Sequence, residues 1–107
     1  MSRHSLTGRK SFTRLYLQGN SWSGGGARIR YIIEESDLPR FAISVPKACG
    51  NAVLRNKIRR RWREAVRLVE PHLPKGHYHV ILRGVGASSE YSGALQVLND
   101  FRKHIAN

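Results

Sequence analysis

Hydrophobic and polar positions follow two rhythms along the chain. The longest regular stretch is helical: Leu54, Ile58, Trp62, Ala65, Val66 and Val69 recur at three- and four-residue steps, the spacing of one helix face. At ~100° per residue these positions fall in an arc of roughly 120°. Arg59, Arg63, Asn56, Arg67 and Arg60 occupy the opposite side, and Lys57, Glu64 and Arg61 continue it round toward Leu54. Arg55 projects at the edge of the apolar arc, near Val66, so its guanidinium must leave the helix at the first turn. Asn51 is the expected N-cap, after Gly50, and Pro71 and Pro74 close the helix.

The same periodicity predicts two further helices. Phe12, Leu15 and Tyr16 place one over Leu6–Leu17, with Ser5, Thr7 and Ser11 as candidate caps and Gly19 as its stop. Tyr91, Leu95, Leu98, Phe101 and Ile105 form the apolar stripe of another, capped by Ser88 or Ser89. A two-residue rhythm marks strands. Ala27–Ile33 alternates Arg28 and Arg30 with Ile29, Tyr31 and Ile33. Phe41–Val45 is a short apolar strand that Pro46 ends or confines to an edge, and Gly76–Arg83 is another, broken by Gly84 and Gly86. Gly19–Gly26 reads as a turn-rich stretch around Trp22, and Glu34, Glu35, Ser36, Asp37 and Pro39 as an acidic loop. The order is helix, two or three strands, helix, strand, helix (α-β-β-β-α-β-α with the third strand counted). It predicts an α/β (α+β) two-layer sandwich, with helices packed on a small mixed sheet. No linker or internal repeat divides residues 1–107, so the expectation is one domain.

Charge changes the picture from fold to partner. The formal net charge is +12 and the pI near 11.1, far beyond what solubility requires. Arg55, Lys57, Arg59, Arg60, Arg61, Arg63 and Arg67 face a single acid, Glu64, in the central helix. A merely solvated helix mixes signs so that Glu and Lys pair four residues apart. Here Arg outnumbers Lys six to one, and the planar guanidinium grips phosphate bidentately and stacks on bases. The expected partner is a nucleic acid. A membrane surface fits less well, because the helix carries Trp62 among its core positions and not as an interfacial anchor. No run is long enough to span a bilayer and no signal peptide precedes Leu6, so a cytoplasmic protein is expected.

Candidate chemistry is sparse. Cys49 is the single cysteine, which excludes a disulfide framework, and it reads as a small packing residue. His77 and His79 share a strand face, but two ligands do not make a zinc site. The acids of the 34–37 loop lack a supporting ligand, and no two-metal carboxylate cluster is discernible, so no catalytic or metal-binding residue is expected. Phe12 and Tyr16, interleaved with Arg9, Lys10 and Arg14, allow two readings. Taken alone they are core aromatics; the alternative is a platform on which unpaired bases stack while the cations hold phosphates.

The string Lys47-Ala-Cys-Gly-Asn-Ala-Val-Leu-Arg-Asn-Lys-Ile-Arg-Arg-Arg-Trp-Arg-Glu64 resembles the Arg-Asn-Arg signature of the bacterial ribonuclease P protein subunit. Phe12 and Tyr16 followed by Gly19, the Phe41–Val45 strand, Tyr78–Arg83 and the last helix are similar in type and position to the rest of that family. Pro46 and Cys49 depart from its usual pattern. Lys57 stands in place of the second signature Arg, keeping the charge but losing the bidentate fork. The resemblance implies a ribosomal protein S5 domain 2-like fold with a left-handed crossover through the central helix, where general rules give a right-handed one. It also implies a subunit of a ribonucleoprotein whose catalytic RNA, with Mg²⁺, removes the 5′ leader of precursor tRNA. The partners would be that RNA and precursor tRNA, with no membrane, no small-molecule substrate and no cofactor held by the protein alone. Lys47, Asn51, Arg55, Asn56, Lys57, Arg59, Arg60 and Arg63 would bind the RNA subunit. Phe12, Tyr16 and Tyr31, with Arg9 and Lys10, would bind the leader, which lifts the stacking reading above the core reading. The competing readings are a structural ribosomal-type RNA-binding protein, which the 51–64 string argues against, and a self-sufficient nuclease.

Overall fold

The computed structural model describes residues 8–34, 39–84, 86 and 89–106. It contains α1 (Arg9–Gln18), β1 (Asn20–Gly24), β2 (Ala27–Ile33), β3 (Arg40–Ser44), α2 (Ala52–Val69), β4 (Gly76–Leu82) and α3 (Tyr91–Ala106). Single 3-10 turns, Lys47–Cys49 and Glu70–His72, precede and follow α2. The strands form one mixed sheet in the order β1-β2-β4-β3. β1 and β2 make an antiparallel hairpin, β2 pairs antiparallel with β4, and β3 lies parallel to β4 after the crossover through α2. Pro46 follows the edge strand β3, where a missing N–H costs no ladder bond.

The turn-rich stretch after Gly19 is in fact β1. Gly24 pairs with Ala27, leaving a two-residue turn in which Gly25 and Gly26 have φ of 58° and 84°. Positive φ at both central positions is the hairpin turn whose twist matches the flanking strands, and glycine adopts it without steric cost. Trp22 then reaches the core rim and packs on Phe101 at 5.5 Å between ring centroids.

Strand alternation separates the two sheet faces. Ala27 and Ile29 of β2, Phe41 of β3, and Tyr78, Val80 and Leu82 of β4 are buried on the face that α2 and α3 cover. Ile58, Trp62, Ala65, Val66 and Val69 of α2 and Ala94, Val97, Leu98 and Phe101 of α3 complete this core. Tyr78 sits near its centre, stacked against Phe41 at 4.8 Å with Phe101 edge-on at 5.8 Å. Burial, reinforced by the neighbouring Tyr31, holds the Tyr78 phenol well above its ordinary pKa, and its hydroxyl donates to the Pro74 carbonyl. Cys49 is a fully buried packing residue.

The α/β sandwich is present, and α1 adds a partial layer on the opposite sheet face. There it contacts β2 and β4, and Leu15 is its one buried residue. Three local expectations change. α1 begins at Arg9 with Gly8 as its cap position, so Ser11 lies inside the helix, and Ser5 and Thr7 fall outside the described residues. Leu54 is 37% exposed, and the buried arc of α2 starts one turn later, at Ile58. Tyr91 is exposed while Ala94 and Val97 are buried, so the α3 stripe is rotated from the one its large residues suggest. Ser89 does not cap α3 from its side chain: the hydroxyl receives the Gly86 N–H, and the carbonyl accepts from Arg61 at 2.9 Å. Ser88 is outside the described residues.

A +12 charge on a chain of 107 residues opposes compaction by self-repulsion, and anions that bind the folded state oppose that loss by mass action. The melting temperature at low salt is expected to rise on adding sulfate or phosphate. A midpoint indifferent to these anions, yet raised by any neutral osmolyte, contradicts the charge argument.

Candidate nucleic-acid interface

Two surfaces concentrate the expected site residues. The first is the outer side of α2. The Asn51 carboxamide oxygen accepts the Leu54 N–H at 2.9 Å, so Asn51 serves as the N-cap that fixes where the helix starts. The buried arc anchors the other side, and the ridge is therefore carried on a rigid element. Lys47, Asn56, Lys57, Arg60 and Arg63 are exposed; Arg55 and Arg59 are half-buried. Arg59 donates to the Asn56 side chain at 2.8 Å. Within the described residues no hydrogen bond or ion pair engages Lys57, Arg60 or Arg63. Besides Arg59, two further cations of the run are engaged within the protein. Arg61 holds the Ser89 carbonyl and lies 3.8 Å from Glu90, tying α2 to the start of α3, and Arg67 lies 3.5 Å from Glu64. Arg55 leaves the helix beside the apolar arc, and its buried Nε has no acceptor among the described residues.

The second surface lies between α1 and the outer face of the sheet. Phe12 is half-buried with its ring edge-on to His79, centroids 5.1 Å apart. Tyr16 is 71% exposed, with the Arg30 guanidinium carbon 4.9 Å from its ring centroid. The same guanidinium donates to the Tyr16 carbonyl at 2.7 Å. Arg14 reaches Glu34 at 2.7 Å and ties the helix to the end of β2. Beneath, the His79 imidazole Nε2 and the Ser44 hydroxyl are 2.7 Å apart. Ser44 ends β3, and the chain passes from there directly into the turn that starts α2, so the floor of this cleft leads to the foot of the cationic ridge.

Burial, and then the Arg30 charge, push the His79 pKa below its usual 6.5. The unfolded chain therefore takes up a proton at His79 before the folded one does. This contribution to stability is intact above pH 6.5 and is lost as pH falls from 6.5 toward the lowered folded value. Melting temperature is expected to drop across that window, and a His79→Asn variant is expected to show a shallower drop. Identical slopes for the two proteins would contradict the assignment.

Tyr31 does not join this cleft. It stands opposite Tyr78 on the core side of the sheet, with Phe101 edge-on at 5.1 Å. The alternation that makes Arg28 and Arg30 outward-facing makes Tyr31 inward-facing, so the expectation that it shares a surface with Phe12 and Tyr16 fails. Lys10 is also apart, ~160° round α1 from Phe12, whereas Arg9 lies on the aromatic side. The cleft residues not anticipated are Arg30, Ser44 and His79. Their signal was the outward set of the two-residue strand rhythm. Among the described residues, no three His, Cys, Asp or Glu side chains gather where they could hold a metal ion.

A family model described as Ribonuclease P matches residues 1–106. The chain belongs to the ribonuclease P protein family. It is a protein subunit of the ribonuclease P of tRNA 5′ processing. The Carboxydothermus hydrogenoformans ribonuclease P protein component is 35% identical over 96 residues, 87% of this chain and 83% of that one. The Symbiobacterium thermophilum component is 34% identical over 80 residues, 74% of this chain and 70% of its own. The fold agrees with solved ribonuclease P proteins. That of Staphylococcus aureus superposes with a TM-score of 0.80 at 28% identity, covering 99% of this chain and 97% of the other. That of Thermotoga maritima gives 0.69 at 28% identity, covering 98% and 94%. Family membership sets aside the ribosomal-type reading. In this ribonuclease P protein the ridge cations Lys57, Arg60 and Arg63 are exposed with no partner among the described residues.

Proposed function

We propose that the protein binds the catalytic RNA of ribonuclease P along the outer side of α2, and the single-stranded 5′ leader of precursor tRNA in the α1 cleft. The observation that carries this reading is the division of α2, whose buried Trp62 side is backed by a cationic ridge on which Lys57, Arg60 and Arg63 are exposed with no partner among the described residues. Lys47, Arg55, Asn56, Lys57, Arg59, Arg60 and Arg63 would contact phosphates, while Asn51 holds the helix start in register. Phe12 and Tyr16, with Arg9 beside them, would stack on leader bases and steady the strand. Cleavage would belong to the RNA subunit with its Mg²⁺, the protein supplying binding and orientation. The compartment would be the cytoplasm; among the described residues no helix is long and apolar enough to cross a membrane.

The test is to purify the protein from its own cells and sequence the RNA that accompanies it, then incubate RNA-free protein with precursor tRNA and Mg²⁺. Enrichment of one structured RNA, and cleavage only when it is restored, supports the reading. Cleavage by the protein alone contradicts it.

Single ridge substitutions report which cations meet phosphate. Arg63→Ala is expected to weaken binding to the catalytic RNA and to lower the slope of log affinity against log salt by about one unit or less. Arg59→Ala is expected to act in the same direction. An unchanged affinity and slope in both variants would move the RNA off this ridge.

A further inference from the structure

Arg30 does more at the cleft than add charge. α1 buries only Leu15, and its last turn carries no basic residue of its own. The Tyr16 carbonyl is one of the last four of that helix, where carbonyls lack an intrahelical donor and the helix dipole is negative. From β2, Arg30 brings both missing elements: Nη2 donates to that carbonyl at 2.7 Å, and the cation sits at the helix's negative end. The same guanidinium lies 4.9 Å from the Tyr16 ring centroid, within cation–π range, while the ring remains 71% exposed. One planar group therefore fixes the end of α1 and the attitude of the ring together.

We propose that Arg30 is a positioning residue for leader binding: it latches the end of α1 to the sheet and presets the Tyr16 ring as a stacking face. This rests on the α1 cleft being the leader site. A ring already held in place loses little freedom when a base stacks on it, so the benefit appears as leader affinity. Lys cannot reproduce the arrangement, because its ammonium lacks the planar fork that donates to the carbonyl and lies near the ring at once. A phosphate contact made by Arg30 would behave differently, since Lys would largely replace it and its removal would lower the salt slope.

The experiment uses reconstituted holoenzyme and compares affinities for precursor tRNA and mature tRNA at several salt concentrations. The proteins are the native chain, Arg30→Lys, Tyr16→Ala and the double variant. Arg30→Lys is expected to reduce the precursor-to-mature affinity ratio roughly three- to tenfold, with the salt slope unchanged. In the Tyr16→Ala background the same change is expected to have little further effect, since the ring that Arg30 positions is gone. Arg30→Gln, a planar donor on a shorter stem, is read in the same way if Arg30→Lys melts early. A native ratio in Arg30→Lys, an added loss on top of Tyr16→Ala, or a slope lowered by about one unit in the charge-removing Arg30→Gln overturns the proposal. If Tyr16→Ala and Phe12→Ala both leave the ratio unchanged, the leader reading itself falls. If they lower it and Arg30→Lys does not, only the positioning role falls.

Discussion

Trp62→Ala is expected to destabilise the fold by about 3–5 kcal/mol. Trp62 is completely buried at the middle of α2, among Ile58, Ala65 and Val66 on its own helix. Removing the indole deletes a large apolar contact and leaves a cavity that helices held by an aromatic core cannot readily close. Domains of this size are stabilised by only about 5–15 kcal/mol, so the loss is a large share of the total. Self-repulsion from the +12 charge makes the margin narrower still. Denaturant unfolding at fixed salt measures the effect, with Val53→Ala as the comparison, because Val53 lies on the same helix but is 65% exposed. Val53→Ala is expected to cost well under about 1 kcal/mol. Sulfate should partly restore the folded fraction of Trp62→Ala, and RNA binding should return with it. A Trp62→Ala protein of native stability that no longer binds RNA would contradict the two-faced reading of α2.

Much of this architecture was legible because the strongest periodicities are also the ones the core uses. The α2 arc, the Asn51 cap and the strands at Ala27–Ile33 and Phe41–Val45 all follow from steps of 3.6 or 2 residues. What escaped was set by tertiary geometry. β1 is polar except for Trp22, and it becomes a strand because the Gly25–Gly26 turn folds it back onto β2. Leu54 fits the helical arc but lies past the edge of the core, which no helical wheel encodes. In α3 the small residues Ala94 and Val97 mark the buried side, because close helix packing favours them over the bulky Tyr91.

The candidate site divides in the same way. The ridge was readable as charge on one side of a helix. The cleft was only half readable, since Phe12 and Tyr16 are local to α1 but their partners come from two strands. Arg30 and His79 could be placed opposite α1 only once β2 and β4 were paired. Tyr31 went astray because the resemblance pointed to its residue type, while strand alternation turns it toward Phe101.

The second large effect concerns leader binding. Phe12 and Tyr16 project on one side of α1, and the Tyr16 ring is 71% exposed. An unpaired base of any identity has a π-face to lay on such a ring, and each stack is worth about 1–3 kcal/mol. At ~1.4 kcal/mol per decade, losing one stack weakens binding of precursor tRNA roughly tenfold or more. Tyr16→Ala removes an exposed ring and is expected to leave the melting temperature nearly native. Phe12→Ala also gives up the contact with His79, so some loss of stability is expected with it.

The most direct measurement is therefore a pair of affinities for each holoenzyme, native and Tyr16→Ala, with precursor tRNA and with mature tRNA that lacks the leader. Circular dichroism melting checks that the variant is folded. The account predicts precursor binding weakened roughly tenfold and mature tRNA bound as tightly as by the native holoenzyme. Equal losses for both ligands, or no loss for either, would contradict the placement of the leader on α1.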